Sequence, residues 1–191
     1  MTTEPRADLD PATLVPDDKD WTWVLERPCP ECGFVAREVD LSTVGTRIRA
    51  TADRFTEVLR RPHVAQRQRA DRWSDLEYSC HVRDVYRICR GRLELILTAD
   101  DAHFANWDQD ATAIDDRYGE QDPAVVAAEL VEAAGAIATA FDDVIGDQWQ
   151  RRGHRSDGAV FTVDSFARYV LHDPLHHLWD VGATEEVAAS R

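Results

Sequence analysis

The sequence predicts an all-α fold, a four-helix bundle preceded by an irregular N-terminal segment. Four stretches carry apolar residues at the three- and four-residue spacing of amphipathic helices. Several of these stretches begin with a residue that commonly caps a helix, and no convincing run of strands separates them. Amphipathic helices without a sheet bury their apolar stripes against one another, which is the arrangement of a helical bundle.

The N-terminal residues 1–40 are expected to form the irregular segment, because prolines recur along them. The segment also contains Trp21, Trp23 and Phe34, so that part of it should pack on the body of the protein. The expected division is therefore a lead-in over 1–40, a bundle over 41–181 and a tail over 182–191.

The first two helices are bounded by local features of the sequence. The first is expected over residues 42–60, and Pro62 follows its end. The second is expected over residues 74–98 and opens with a capping box, in which Ser74 and Glu77 each satisfy a free N–H group of the first turn. Its apolar coverage is broad, as in a helix that packs on more than one side.

The segment 99–121 is predicted to be a long acidic loop with Phe104, Trp107 and Tyr118 in it. Loops of this length are uncommon in compact domains and are often functional. An ordinary surface connection is the alternative interpretation.

The last two helices also begin at recognisable residues. The third opens with Asp122 as N-cap and Pro123 at the first helical position. A loop over 146–158 follows it, and the fourth helix is expected from about Thr162 to about Val181. The residues beyond it are expected to form a frayed tail.

Composition excludes several classes of protein. The chain has 191 residues and a formal net charge of −14, which argues against nucleic acid or an anionic membrane surface as a partner. It contains no apolar run of the ~20 residues that a membrane span needs and no signal peptide. Its four cysteines are therefore expected to be reduced in a cytoplasmic protein. A single lysine among many arginines suggests a GC-rich bacterial genome.

The strongest chemical motif is His172-Asp173-Pro174-Leu175-His176-His177. His172 and His176 are four residues apart and share one face of a continuous helix. Imidazole is a favoured ligand of zinc, nickel and iron. A new helix that starts at Asp173-Pro174 is the alternative, but the apolar pattern continues across the proline and favours one kinked helix. The alternative to a metal site is that these histidines are ordinary polar residues.

A metal site in a bundle needs a ligand from a facing helix, and His81 is the best candidate. Glu77 lies one turn before it and Asp84 one turn after it, so either carboxylate would be placed to orient its ring. Asp180 would be placed to orient His176 in the same way. Ordinary surface charge is the alternative for all three carboxylates. Three further histidines lie in predicted loops without a partner: His63, His103 and His154.

The motif Cys29-Pro30-Glu31-Cys32-Gly33 resembles half of a zinc knuckle, but a second CxxC is missing. Cys80 and Cys89 cannot jointly complete it, because nine helical residues place them on opposite sides. Three interpretations remain open: a reduced turn that packs locally, a redox pair, or a partial site completed by another chain.

Two of these motifs resemble the DinB-like superfamily, which includes bacterial thiol transferases and mycothiol-dependent maleylpyruvate isomerases. The resemblance extends over about residues 42–181. Its motifs are Trp73-Ser74-x-x-Glu77-Tyr78-x-x-His81-x-x-Asp84 and the His172–His177 motif.

The resemblance implies a four-helix bundle with one divalent metal ion, zinc or nickel, held by three histidines. By position these are His81, His172 and His176. It also implies a homodimer. The Cys29/Cys32 pair is not part of the family pattern, and the chain lacks the extra C-terminal domain of the larger isomerases, so maleylpyruvate isomerase activity is not expected.

Three functions are compatible with such a site. The first is a thiol S-transferase, in which a low-molecular-weight thiol such as mycothiol attacks a small electrophile with the help of the metal. The second is a hydrolase in which the metal activates water. The third is a non-catalytic metal-binding or dimerisation module, since fold alone does not establish function.

Overall fold

The structure, a computed structural model, describes residues 19–184 and confirms the helical bundle. The first part of the predicted lead-in (1–18) and most of the predicted tail (185–191) lie outside the described residues. The long helices are α1 (Val44–Val58), α2 (Asp75–Thr98), α4 (Pro123–Asp142) and α5 (Val163–Asp180), and a short helix α3 covers Gln109–Asp115. Three short strands are β1 (Ala102–Phe104), β2 (Arg152–Arg155) and β3 (Val160–Thr162).

Helix starts lie where the capping residues predict them. Ser74 caps α2, and its hydroxyl accepts from the Glu77 N–H at 3.2 Å while Glu77 accepts from the Ser74 N–H at 2.7 Å. Asp122 caps α4, with Pro123 at its first position. Both features depend on residues within one turn of each other, so the sequence is sufficient to find them.

Helix α5 runs without a break through Pro174, as the continuous apolar pattern predicts. Thr162 is its N-cap, and its hydroxyl accepts a hydrogen bond from the Ser165 N–H at 3.1 Å. The whole histidine motif therefore lies on one helix, and its side chains keep a helical spacing.

Beside the bundle the structure contains a small three-stranded sheet, which the sequence pattern did not reveal. Strand β1 pairs in parallel with β2, and β2 pairs antiparallel with β3. The predicted loops 99–121 and 146–158 thus contain paired strands, and the first also contains α3. Segments of three or four residues are too short to show an alternating pattern, and β1 and β2 pair across a long stretch of chain. Gly153 lets β2 lie close against α2, because a Cβ there would lie 2.5 Å from the Ile96 side chain of α2.

The described part of the lead-in packs on the bundle, as its apolar residues predict. Val24, Cys29 and Phe34 are buried in the main core. On the other side of the contact, the Arg168 guanidinium of α5 donates hydrogen bonds to the carbonyls of Ala36 and Val39. This segment therefore lies directly against the helix that carries the histidine motif.

Helix α4 is long and apolar enough, by length and composition alone, to cross a membrane. Its buried face packs in the core of the bundle through Val126, Leu130, Ile137 and Phe141. A central core helix of a bundle has the same composition.

Candidate metal centre

Helix α5 carries two pairs of potential metal ligands on neighbouring stripes. His172 and His176 form one pair, and Asp173 and His177 form another with the same four-residue spacing. Adjacent helical residues are rotated by ~100° about the axis, so the two pairs face different parts of the protein. The first pair faces the N-terminal segment and the second faces α2, which creates two separate clusters.

The cluster between α2 and α5 consists of His81, Asp173 and His177, whose ligand atoms all lie within 4.8 Å of one another. His81 Nε2 is 3.4 Å from Asp173 Oδ1, and His177 Nε2 is 3.7 Å from the same oxygen. His81 is fully buried, yet neither of its ring nitrogens has a hydrogen-bond partner within residues 19–184. Asp173 Oδ1 is likewise buried without one.

Such orphaned groups are rare in proteins and need an explanation. A cation between them would satisfy the His81 nitrogen and the Asp173 oxygen together, so these residues fit a metal ion. Burial acts to raise the pKa of Asp173, but His81 and His177 lower it more strongly, and the carboxyl is held below its usual range. The carboxylate form is the one that binds metal.

Aromatic rings surround His81 and keep its orientation. Trp107 stacks on it with ring centroids 5.3 Å apart and an angle of 5° between the planes, and Trp73 lies 5.2 Å away. The Trp107 indole donates a hydrogen bond to Thr112 of α3 at 2.7 Å, which holds the ring in place. The segment 99–121 therefore supplies one wall of this cluster.

Asp180 orients a histidine, but not the predicted one. Its Oδ2 lies 2.8 Å from His177 Nδ1, in hydrogen-bond geometry, and 3.7 Å from His176 Nε2. A carboxylate at Nδ1 keeps the proton on that nitrogen and turns the Nε2 lone pair toward Asp173. Residues three and four positions back are both helical neighbours, so spacing alone did not distinguish His177 from His176.

Glu77 does not orient His81, because its carboxylate is used elsewhere. It accepts two hydrogen bonds from Arg67 Nε at 2.9 and 3.1 Å, a further one from Arg67 Nη2, and the capping bond from Ser74. Burial raises the pKa of Glu77, but Arg67 and Ser74 lower it more, and the net pKa lies below its usual value. Glu77 thus forms a buried ion pair that anchors the start of α2.

Asp84 also has other partners. Its carboxylate accepts hydrogen bonds from Arg83 at 2.8 and 3.0 Å and from the Tyr118 hydroxyl at 2.7 Å. These contacts join α2 to the turn before α4. The role of Asp84 as an orienting carboxylate stays a prediction, and Arg83 competes for this carboxylate as Arg67 does for that of Glu77.

Replacing Glu77 with alanine is expected to lower the free energy of unfolding by about 3–5 kcal/mol, because Arg67 remains buried without a counter-charge. The stabilisation should be present above the unfolded-state pKa of about 4.3 and be lost as the pH falls below it. Metal content should not change. Urea denaturation and elemental analysis measure both quantities.

The matched control is Glu94→Ala, which removes an exposed ion pair with Arg90 on the same helix and should change stability by less than about 1 kcal/mol. Loss of metal in Glu77→Ala would contradict this expectation and would indicate that Glu77 orients His81.

The second cluster brings together Cys29, Cys32, His172 and His176, again with ligand atoms within 4.8 Å of one another. Burial lowers the pKa of His172 to about 4, so its imidazole is neutral at pH 7. Burial also favours the neutral form of Cys32 and raises the pKa of its thiol to about 12. His172 and His176 thus come together as predicted, whereas His81 lies in the other cluster. The three-histidine ligand set stays a prediction.

Asp173 and His177 were not predicted as ligands. Their four-residue spacing was visible in the sequence and equal to that of His172 and His176. A one-residue shift along a helix changes which neighbour a side chain faces, and that neighbour is decided by tertiary packing.

Two large cavities border the cluster of His81, Asp173 and His177, besides a small one of 50 Å³ that Asp173 and His177 both line. One of 320 Å³ is lined by His177, and the other, of 670 Å³, is lined by Asp173. Trp21 and Gln109 are among the residues that line both cavities. Each of the two cavities therefore has one member of this cluster in its wall.

Comparisons with known proteins agree with this architecture. The structure resembles YfiT from Bacillus subtilis with a TM-score of 0.62 and 20% sequence identity, over 81% of this chain and 86% of that chain. YfiT is a probable metal-dependent hydrolase with an unusual four-helix bundle topology, and at this identity the likeness shows the shared fold. A search of curated proteins finds no match. The family model of the DinB superfamily matches residues 40–181. The chain belongs to the DinB superfamily.

Proposed function

We propose that the protein is a metal-dependent enzyme with a catalytic cation held by His81, Asp173 and His177, and that it transfers a thiol to a small electrophile. The observation that carries the metal site is the fully buried His81 ring, which has no hydrogen-bond partner in the described chain and lies 3.4 Å from an equally unpartnered carboxylate oxygen. Two imidazoles and one carboxylate suit a divalent ion such as zinc or nickel.

Three protein ligands leave coordination positions open, which is typical of catalytic rather than structural sites. A divalent ion bound there lowers the pKa of a coordinated water or thiol and polarises a substrate oxygen. Asp180 keeps the His177 lone pair directed at the site, and Trp107 and Trp73 exclude water from His81. These residues therefore position the ligands and keep their surroundings dry.

The two cavities favour thiol transfer, because that reaction needs two substrates. A low-molecular-weight thiol, for which mycothiol is one candidate, would enter one cavity and the electrophile the other. The thiol would give its proton to solvent, and its sulfur would form the new bond to the electrophilic carbon. The bond from that carbon to its leaving group would break, and the leaving group would depart with the electron pair. Trp21 and Gln109 lie where the two substrates would meet.

Metal-dependent hydrolysis is the second candidate, and the likeness to YfiT favours it. The same three ligands would serve, with water as the nucleophile in place of the thiol. The two reactions differ in one measurable property, which is dependence of the rate on an added thiol.

The test uses the full chain loaded with zinc or nickel, beside His81→Ala. Conjugation of N-acetylcysteine or mycothiol to 1-chloro-2,4-dinitrobenzene, lost in the variant, would support thiol transfer. Thiol-independent cleavage of 4-nitrophenyl esters, also lost in the variant, would support hydrolysis. Absence of both activities in metal-loaded protein would contradict the enzymatic proposal and favour a metal-binding module.

Replacing Asp180 with asparagine is expected to weaken metal binding at this site by about 10–100-fold, because the His177 ring loses the carboxylate that orients it. Competition with a chromophoric chelator measures the affinity. Asp164→Asn is the matched control, since Asp164 lies on the same helix and pairs with Arg168 instead. Equal affinities in the two variants would show that Asp180 has no orienting role.

We further propose that the enzyme works as a homodimer in the cytoplasm. The four cysteines are free thiols, which suits a reducing compartment. Val131 of α4 is exposed and borders a surface cavity that Ala124, Ala127 and Ala128 also line, and a second copy would cover this apolar surface. Sedimentation velocity of tag-free protein tests the dimer, and a monomer at micromolar concentration would contradict it.

A further inference from the structure

The cluster of Cys29, Cys32, His172 and His176 takes no part in the proposed catalytic centre. It joins the N-terminal segment to α5 across most of the length of the chain. Cys29 and the two histidines are buried, and Cys32 is partly buried. Two sulfur and two nitrogen atoms within 4.8 Å of one another form a complete set of four soft or borderline ligands.

The turn that holds the two thiols is closed by its own backbone. Gly33 has φ of 74°, a conformation that favours glycine. Its N–H donates to the Cys29 carbonyl at 3.0 Å, and the Cys29 N–H donates to the Phe34 carbonyl at 2.9 Å. The turn thus keeps both sulfur atoms on the side that faces α5.

Distances in the cluster match a metal tetrahedron. Cys29 Sγ lies 3.7 Å from His176 Nδ1. A tetrahedral zinc ion with Zn–S of about 2.3 Å and Zn–N of about 2.0 Å places such a pair roughly 3.5 Å apart. His172 is 3% exposed, and its Nε2 has no hydrogen-bond partner in the described part of the chain. That nitrogen is available as the fourth ligand.

The surroundings support the same arrangement. Glu31, inside the CxxC motif, places Oε2 3.5 Å from His176 Nε2, so that His176 Nδ1 faces the sulfur. The Trp21 ring lies 5.4 Å from the His172 ring and 4.9 Å from the His176 ring, and Phe34 lies 5.4 Å from His172. These rings pack against both histidines of the cluster.

We propose that Cys29, Cys32, His172 and His176 bind one Zn²⁺ ion in a closed, structural site that fastens the N-terminal segment onto α5. Four protein ligands leave no open position for a substrate, and a Cys₂His₂ set is typical of structural zinc. Two thiolates balance the charge of the ion. None of the three sequence interpretations of the CxxC motif included this site. The partial-site interpretation placed the missing ligands on another chain, whereas His172 and His176 belong to this one.

A redox role for the cysteine pair is disfavoured by burial. Cys29 is 1% exposed, and thiol–disulfide exchange requires access of a partner thiol to sulfur.

The zinc site also has a consequence for catalysis. Trp21 contacts both histidines of the zinc site and lines both cavities of the catalytic centre. The structural ion would therefore hold a wall of the substrate cavities in place.

The test is a Co²⁺ titration of the full chain after metal removal under reducing conditions. A Cys₂His₂ site should give a thiolate-to-cobalt charge-transfer band and strong tetrahedral ligand-field bands, which saturate at about one equivalent. His81→Ala should keep these bands, whereas Cys32→Ser and His172→Ala should lose them. Added zinc should displace the cobalt and abolish the bands.

Cys80→Ser is the matched control, because Cys80 is buried on α2 outside the cluster. It should keep the full charge-transfer band. Absence of the band in the wild-type protein would overturn the proposal, and this result does not depend on any variant folding. Persistence of the band in folded Cys32→Ser would overturn it as well. Loss of activity in His81→Ala leaves this readout unaffected, so failure of the catalytic proposal is distinguishable.

Discussion

Replacing His81 with alanine is expected to remove the catalytic metal and the activity while the Cys29/Cys32 zinc ion stays bound. His81 supplies α2's ligand to the cluster with Asp173 and His177. Loss of an orienting neighbour of a ligand already weakens metal binding about 10–100-fold, so loss of the ligand itself should weaken it by more than about 100-fold. Elemental analysis and chelator competition give metal content and affinity.

His103→Ala is the matched control, because His103 is exposed and lies outside both clusters. It should keep the metal content and the activity of the wild type. Circular dichroism should confirm that His81→Ala remains helical. Full metal content in folded His81→Ala would contradict the proposed catalytic site.

His172→Ala distinguishes the proposed ligands from the predicted three-histidine set. If one ion is shared by His81, His172 and His176, both variants lose the same metal and the same activity. If the two clusters bind separately, His172→Ala loses the cobalt–thiolate band and keeps the ion at His81. The two outcomes exclude each other in one titration.

Cys32→Ser is expected to lower the melting temperature by about 10 °C when zinc is present. A ligand at about 1,000 times its dissociation constant stabilises the folded state by about 4 kcal/mol. In a domain of this size, 1 kcal/mol shifts the melting temperature by about 2–4 °C. The lost stabilisation comes from the contact between the N-terminal segment and α5, because the ion joins the two.

Differential scanning calorimetry in the His81→Ala background measures this effect, since a single site then remains. Addition of EDTA should lower the melting temperature of that background protein and leave the Cys32→Ser double variant unchanged. Cys80→Ser in the same background should keep its sensitivity to EDTA. A double variant that melts at the same temperature as its parent would contradict a structural zinc ion.

The helices and their caps were predictable because their causes are local. Ser74 with Glu77 and Asp122 with Pro123 act within one turn, and the apolar pattern of α5 passes through Pro174. The strands were missed because their pairing is non-local and each strand is shorter than one detectable period.

The candidate ligands were only partly predictable, for a similar reason. Glu77 and Asp84 lie at suitable helical positions beside His81, but each has an arginine that the linear spacing does not reveal. A buried carboxylate and a buried guanidinium pair with each other, because either charge left unpaired would be costly. The carboxylate that lies beside His81 in the candidate metal cluster is that of Asp173, inside the histidine motif itself.

The sequence by itself determined the family, the helical bundle and the helix that carries the metal-binding side chains. Their spacings of three and four residues are properties of a single helix. Only the tertiary structure decided which side chains form a site together. A step of one residue turns a side chain by ~100°, so His172 and His176 meet the cysteine turn while Asp173 and His177 meet His81. The partners lie far away in the chain, and packing alone brings them to two adjacent faces of α5.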